Sequence, residues 1–155
     1  MSFLELMGLP RSAARRAPRL PLIARPPADA PWRNIKQRRS VVLRAWPAHR
    51  DGAIATGLGA QRYYKSRHWI VERAPGEYVV LRNEAFARLY RRRGDGRYEA
   101  RDDVVLRYFT LPEPARVRTA SGARLARAGD WIVQNVLGDL QPMSQRDAMA
   151  RYVEL

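Results

Sequence analysis

Apolar and polar positions alternate along most of the chain in runs of four to six residues, each stopped by Gly, Pro, Asn or Asp. Alternation with a period of two over so few residues describes short, half-buried strands. Val41–Trp46 stops at Pro47, and Ala53–Thr56 and Gln61–Lys65 flank a reversal at Gly57 and Gly59. Trp69–Arg73 and Tyr78–Leu81 flank Pro75-Gly76, the strongest hairpin signal in the chain. The spacing then changes to three and four at Ala85, Phe86 and Leu89, which predicts a helix over Glu84–Arg92 with Asn83 as its cap. Arg91-Arg92-Arg93 at its end suits the negative pole of the helix dipole.

The same order returns. Val104–Phe109 and Arg116–Thr119 read as strands, Ser121-Gly122 as a turn, and Trp131–Asn135 and Leu140–Pro142 as a hairpin around Leu137-Gly138. Ser144 with Asp147 three places on resembles a capping box opening a helix over Gln145–Val153. The repeat is visible residue by residue: Trp69-Ile70-Val71 becomes Trp131-Ile132-Val133, Gly76 becomes Gly138 and Tyr90 becomes Tyr152, all at a separation of 62. Upstream the separation is 63, taking Val41-Val42-Leu43-Arg44 to Val104-Val105-Leu106-Arg107, and Thr56 and Gly59 to Thr119 and Gly122. One extra residue between Gly59 and His68 absorbs the change. Such self-similarity indicates a duplicated unit.

The expected fold is α+β: two tandem β-roll or part-barrel modules, residues 40–92 and 103–155, each closed by its C-terminal helix and joined by a turn-rich linker, 93–102. Trp69 and Trp131 are expected in equivalent core places, Tyr90 and Tyr152 as locks holding each helix onto its own sheet, and Gly76 and Gly138 in the hairpin turns. Residues 1–39 are different. Six prolines between Pro10 and Pro31, with Arg11, Arg15, Arg16, Arg19 and Arg25 among them, predict an extended, disordered basic arm.

The second unit carries Val117-Arg118-Thr119, Gly122, Gly129-Asp130-Trp131-Ile132-Val133, Gly138-Asp139 and a terminal helix ending at Tyr152. This resembles the PGDYG family, a small bacterial and bacteriophage module, and the first unit resembles it in worn form, with Arg67-His68 where the second has Gly129-Asp130. The resemblance implies a compact module in a bacterial or phage-infected cytoplasm and implies no reaction. Gly129-Asp130 is read independently as a turn whose carboxylate accepts from nearby backbone donors.

Charge narrows the picture further. The chain carries 29 Lys and Arg against 15 Asp and Glu, a net +14. Residues 1–40 hold nine basic and two acidic residues, 41–102 thirteen and seven, and 103–155 seven and six. A polyanion is therefore expected at the N-terminal part, and Trp32–Arg39 is the densest mixture of aromatic and cation before the first unit.

Chemistry is sparse. There is no Cys, hence no disulfide and no thiolate site, and His49 and His68 lack partners at metal spacing. No glycine-rich phosphate loop occurs. His68 and Glu72 lie about 13 Å apart if the strand between them is straight, too far for an acid–base pair. No apolar run approaches the roughly 18 residues that span a bilayer. The sequence thus points to a non-enzymatic protein without metal or cofactor, contacting RNA or DNA phosphates through Arg33, Lys36, Arg38 and Arg39 and then Arg62, Lys65 and Arg67. The rival expectation is a protein–protein adaptor or assembly component whose arm orders on a protein partner.

Overall fold

The computed structural model describes residues 19–57 and 59–155. The first unit runs β3 (Arg44–Pro47), β4 (Gly52–Thr56), β5 (Gly59–Tyr63), β6 (His68–Ala74), β7 (Glu77–Arg82), α1 (Asn83–Leu89) and β8 (Tyr90–Arg92). The second runs β10 (Val105–Thr110), β11 (Ala115–Thr119), β12 (Gly122–Ala126), β13 (Trp131–Gln134), β14 (Leu140–Met143), α2 (Gln145–Arg151) and β15 (Tyr152–Glu154). Three further strands, β1 (Leu22–Ile23), β2 (Arg33–Gln37) and β9 (Tyr98–Ala100), lie in the stretches read as arm and linker.

Strands take half of the described residues and helices a tenth. The α+β expectation is therefore overturned: the fold is mainly β, and none of its five sheets closes into a barrel. The physical reason lies at the helix ends. Tyr90 (φ −131°, ψ 152°) and Tyr152 (φ −124°, ψ 156°) take extended backbone, so each helix stops after seven residues and the chain continues as a strand. Arg91 and Arg92 consequently lie in β8 and do not complement a helix dipole. Asn83 is no cap either: α1 starts from Arg82 without a side-chain cap, whereas Ser144 caps α2 by accepting from the Asp147 amide at 3.1 Å.

The duplication is written into the pairing registers. Trp46 faces Ile70 across β3 and β6, and Phe109 faces Ile132 across β10 and β13. Ile70 faces Val80 as Ile132 faces Pro142, and Thr56 faces Gly59 as Thr119 faces Gly122. Even the turn hydroxyls repeat, Thr56 donating to the Gly59 carbonyl at 2.8 Å and Thr119 to that of Gly122 at 2.7 Å.

The units exchange a strand. β2 precedes the first unit in sequence but lies between β10 and β15 inside the second unit's five-stranded sheet, order β14-β13-β10-β2-β15. β9 precedes the second unit but pairs with β8 and, through Glu99, with Val41 of the first. The bonds anchoring the two strands are copies of each other: the Arg38 amide donates to the Arg151 carbonyl at the end of α2, and the Arg101 amide to the Leu89 carbonyl at the end of α1. Side chains select this exchange. Glu99 on β9 lies 2.6 Å from Arg91 and 3.5 Å from Arg39, whereas the matching residue of β2 is Lys36, which would bring like charge to Arg91. Residues 19–39 are thus not a disordered arm, and residues 93–102 are not merely a linker; residues 1–18 lie outside the described residues. β1 adds a parallel strand to β11.

The core follows from this geometry. Ile35 of β2 is fully buried with Leu106, Tyr108, Trp131 and Val133 of the second unit, while Tyr98 of β9 meets Trp69 and Phe86 of the first edge to face. Val104 and Val136 pack against both clusters and join them. The twin tryptophans stand at matching register positions, Trp69 opposite Leu81 and Trp131 opposite Met143, but Trp131 is buried and Trp69 half-buried, and each is stacked face to face on one ring. Trp69 stacks on Phe86 of α1 at 3.9 Å, and Trp131 on Tyr108 of β10 at 3.6 Å. Tyr90 and Tyr152, expected to hold each helix onto its own sheet, both line a cavity between the units.

Candidate nucleic-acid interface

The turn from β5 into β6 is built by side chains that bond their own backbone. His68 Nδ1 accepts from the Tyr64 amide at 2.9 Å, and Asp130 Oδ2 accepts from the Arg127 amide at 2.9 Å in the other unit. Ser66 takes the left-handed position (φ +63°) held by Gly129 (φ +89°). Ser and His therefore rebuild in the first unit the turn that Gly and Asp form in the second, at the cost of holding a non-glycine residue at positive φ. Asn83 supports the turn from the start of α1, its amide nitrogen donating to the Ser66 carbonyl at 2.8 Å and its backbone N–H to that of Arg67 at 3.0 Å.

This turn forms one wall of an open groove of about 910 Å³. Arg62 enters from β5, Arg67 from the turn and Arg82 from the end of β7, which stands opposite His68 in register. None of the three has an acidic partner among the described residues; Glu84, also at the rim, is held by Arg88 at 2.8 Å. The Tyr64 ring, 41% exposed, lies 5.7 Å from the His68 ring at a tilt. Burial lowers the His68 pKa, and the charges of Arg82 and Arg67 lower it further. The imidazole is thus kept neutral with its Nδ1 lone pair free to accept, which leaves the guanidiniums as the groove's charges.

Of the residues expected to bind nucleic acid, the structure brings Arg62 and Arg67 together and disperses the others. Arg33 lies 3.6 Å from Glu154, Arg38 donates through Nε to the Met149 carbonyl at 2.9 Å, and Arg39 pairs with Glu99. Lys36 sits between Val105 and Val153 in the second unit's sheet. Lys65 is exposed beside the groove and its backbone N–H donates to Asp51 at 2.8 Å. The expected concentration of cations on arm and first unit therefore fails at β2, which the exchange carries into the second unit. Trp32 closes the edge of the second unit's core, edge-on to Phe109 at 5.2 Å with the Arg107 guanidinium over its ring at 4.0 Å. Arg82 is not legible from the sequence: counting outward from Pro75-Gly76 sets it across from Trp69, and only the register shift between Glu72 and Ala74 brings it opposite His68.

Glu72, buried, accepts from Arg44 Nε at 2.8 Å, which holds its carboxyl below the usual range, and Arg107 makes the same contact with neutral Gln134 at 2.7 Å. Among the described residues no cluster of His, Asp and Glu is arranged to hold a metal ion, and no helix is long and apolar enough to cross a membrane. No family model, curated protein or solved structure matches the chain, so the PGDYG resemblance rests on the residues quoted for it.

Proposed function

We propose that the protein is a non-enzymatic nucleic-acid-binding protein that holds a phosphate backbone in the groove between the β5–β6 turn and the start of α1. One observation carries this reading: Arg62, Arg67 and Arg82 line a single open groove beside an exposed tyrosine ring, and the carboxylate in its lining, Glu84, is paired with Arg88 and not with them. Guanidiniums bind phosphate oxygens bidentately, and a flat aromatic face accepts an unpaired base irrespective of sequence. The aromatic face, which can stack only on an unpaired base, favours single-stranded over duplex nucleic acid. A bacterial or phage-infected cytoplasm, as the PGDYG resemblance implies, suits this role.

The test is fluorescence anisotropy with a labelled twelve-nucleotide single strand, RNA and DNA in parallel, across a series of salt concentrations. Replacing Arg62, Arg67 and Arg82 with Gln removes three phosphate contacts and should flatten the plot of log affinity against log salt by about two units. Replacing Arg33 and Arg38, which are tied to Glu154 and Met149, should change it much less. A salt slope unaltered in the groove variant would eliminate this interface.

A further inference from the structure

The cavity between the two units is separate from the groove wall that carries the three arginines. It has about 70 Å³ of internal space, and no carboxylate lines it. Tyr90 and Tyr152 enter from β8 and β15, one from each repeat, and Arg73 and Arg151 enter with them. Arg73 is the residue added to β6 where the register shifts between Glu72 and Ala74, and such a bulge re-aims a side chain out of the strand's alternation. Arg151 ends α2 and crosses to the first unit, its Nη2 3.7 Å from where a Cβ on Gly57 would sit.

Neither guanidinium forms an ion pair and neither phenol hydroxyl a hydrogen bond among the described residues, although Tyr90 is only 6% exposed. Burial pushes both phenols up in pKa, so both present O–H donors, and the charges of Arg73 and Arg151 fall on both. The cavity therefore gathers two cations and two phenol donors with no carboxylate; of the amides that also line it, Gln37 donates to the Leu89 and Arg101 carbonyls and Asn135 Oδ1 accepts from the Leu137 and Asp139 amides, which leaves Gln61 and Gln141 as the neutral acceptors present. Donors without acceptors in a partly dry space are costly unless an anion receives them. A space of about 70 Å³ equals roughly two water molecules, the size of one small oxyanion.

We propose that this cavity binds a small oxyanion of the phosphate, sulfate or carboxylate class between Tyr90, Tyr152, Arg73 and Arg151. The site stands apart from the nucleic-acid reading, yet Gln61 and Val80 border both spaces. The oxyanion is therefore either a free ion or the terminal phosphate of a strand lying in the groove.

The test is thermal unfolding of the full chain in inorganic phosphate, sulfate or acetate, each against sodium chloride of equal ionic strength. At least one oxyanion should raise Tm saturably, and in Arg73→Gln/Arg151→Gln that rise should vanish. Tyr90→Phe/Tyr152→Phe preserves shape and carries the test if the arginine variant fails to fold; its affinity should fall about tenfold or more, as expected for losing hydrogen bonds to a charged group. The groove variant of Arg62, Arg67 and Arg82 should keep the full rise, which separates failure here from failure of the nucleic-acid reading. A twelve-nucleotide strand with and without a 5′-phosphate distinguishes the two sources: a gain from the phosphate that disappears in the cavity variants assigns the strand end, and equal binding assigns the free ion. The site is disproved if no oxyanion exceeds chloride, or if the cavity variants retain an unchanged rise.

Discussion

Trp69 and Trp131 occupy the same place in the two repeats, but the ring stacked on each comes from opposite sides. In the first repeat the helix supplies Phe86 and the strand at the matching site has Ala45; in the second the strand supplies Tyr108 and the helix has Ala148. Large and small have traded places, so each core is filled once. The groove cations are not compensated in this way. Arg62 corresponds to Leu125 and Arg82 to Ser144, while Asp130 takes over the turn bonds of both Arg67 and His68. A difference that is compensated in volume reports packing. The groove arginines have no such compensation, although the one-residue insertion before His68 and the bulge in β6 also distinguish this part of the first repeat from the second.

The comparison breaks most completely if the repeats are separated. Cleaving or expressing the chain in two pieces at Gly94 leaves β1 and β2 on one fragment and β9 on the other, so each fragment lacks a strand its fold uses. Neither piece should fold alone, and an equimolar mixture should recover the β-sheet circular dichroism and elute as one complex. Self-closure of the first fragment would set Lys36 near Arg91 in place of Glu99, so a well-folded isolated first fragment would refute the charge selection argued above.

Next in size is the aromatic exchange. Phe86→Ala leaves Trp69 without its stacking partner and should cost about 3–5 kcal/mol in urea unfolding. Adding Ala45→Tyr imitates the second repeat and should recover more than half of that loss. A double variant no more stable than Phe86→Ala alone would show that the two cores are not interchangeable solutions.

These outcomes bear on what the sequence could reveal. The duplication, the hairpins and the twin tryptophans were legible because alternation, Gly placement and a constant separation of 62 or 63 are local signals. β2 and β9 were not, since Arg33–Gln37 and Tyr98–Ala100 owe their strand character to partners far along the chain, and a Pro-rich neighbourhood or a Gly-Asp-Gly turn masks them. Helix length failed for a related reason: Tyr90 and Tyr152 continue the apolar spacing of a helix, but pairing with β9 and β2 draws them into strands. Arg62 and Arg67 were singled out by composition, and the structure sets both in one groove. Arg73, Arg82 and Arg151 required register, a bulge and the meeting of the units.

The smallest expected effect concerns the turn, where His68 replaces Asp130 as acceptor of a backbone amide. The folded pKa of His68 lies below its ordinary value of 6.5 because of burial and the nearby Arg82 and Arg67. As pH falls through about 6.5 the unfolded chain takes up a proton that the native imidazole refuses, so stability declines until the folded pKa is passed and is level below it. His68→Asp converts the turn to the second repeat's chemistry, places a carboxylate beside Arg82 and Arg67 and should flatten Tm between pH 7 and the onset of carboxylate titration. Below about pH 4.5 both proteins should lose stability together, because Glu72 and Glu99 are held ionised by Arg44 and Arg91 and their folded pKa values lie below the unfolded ones. Parallel Tm profiles for the two proteins from pH 8 to pH 5 would show that His68 does not play the part of Asp130. The same substitution should weaken oligonucleotide binding, though less than removing the three arginines, since it adds one negative charge to a groove that retains them.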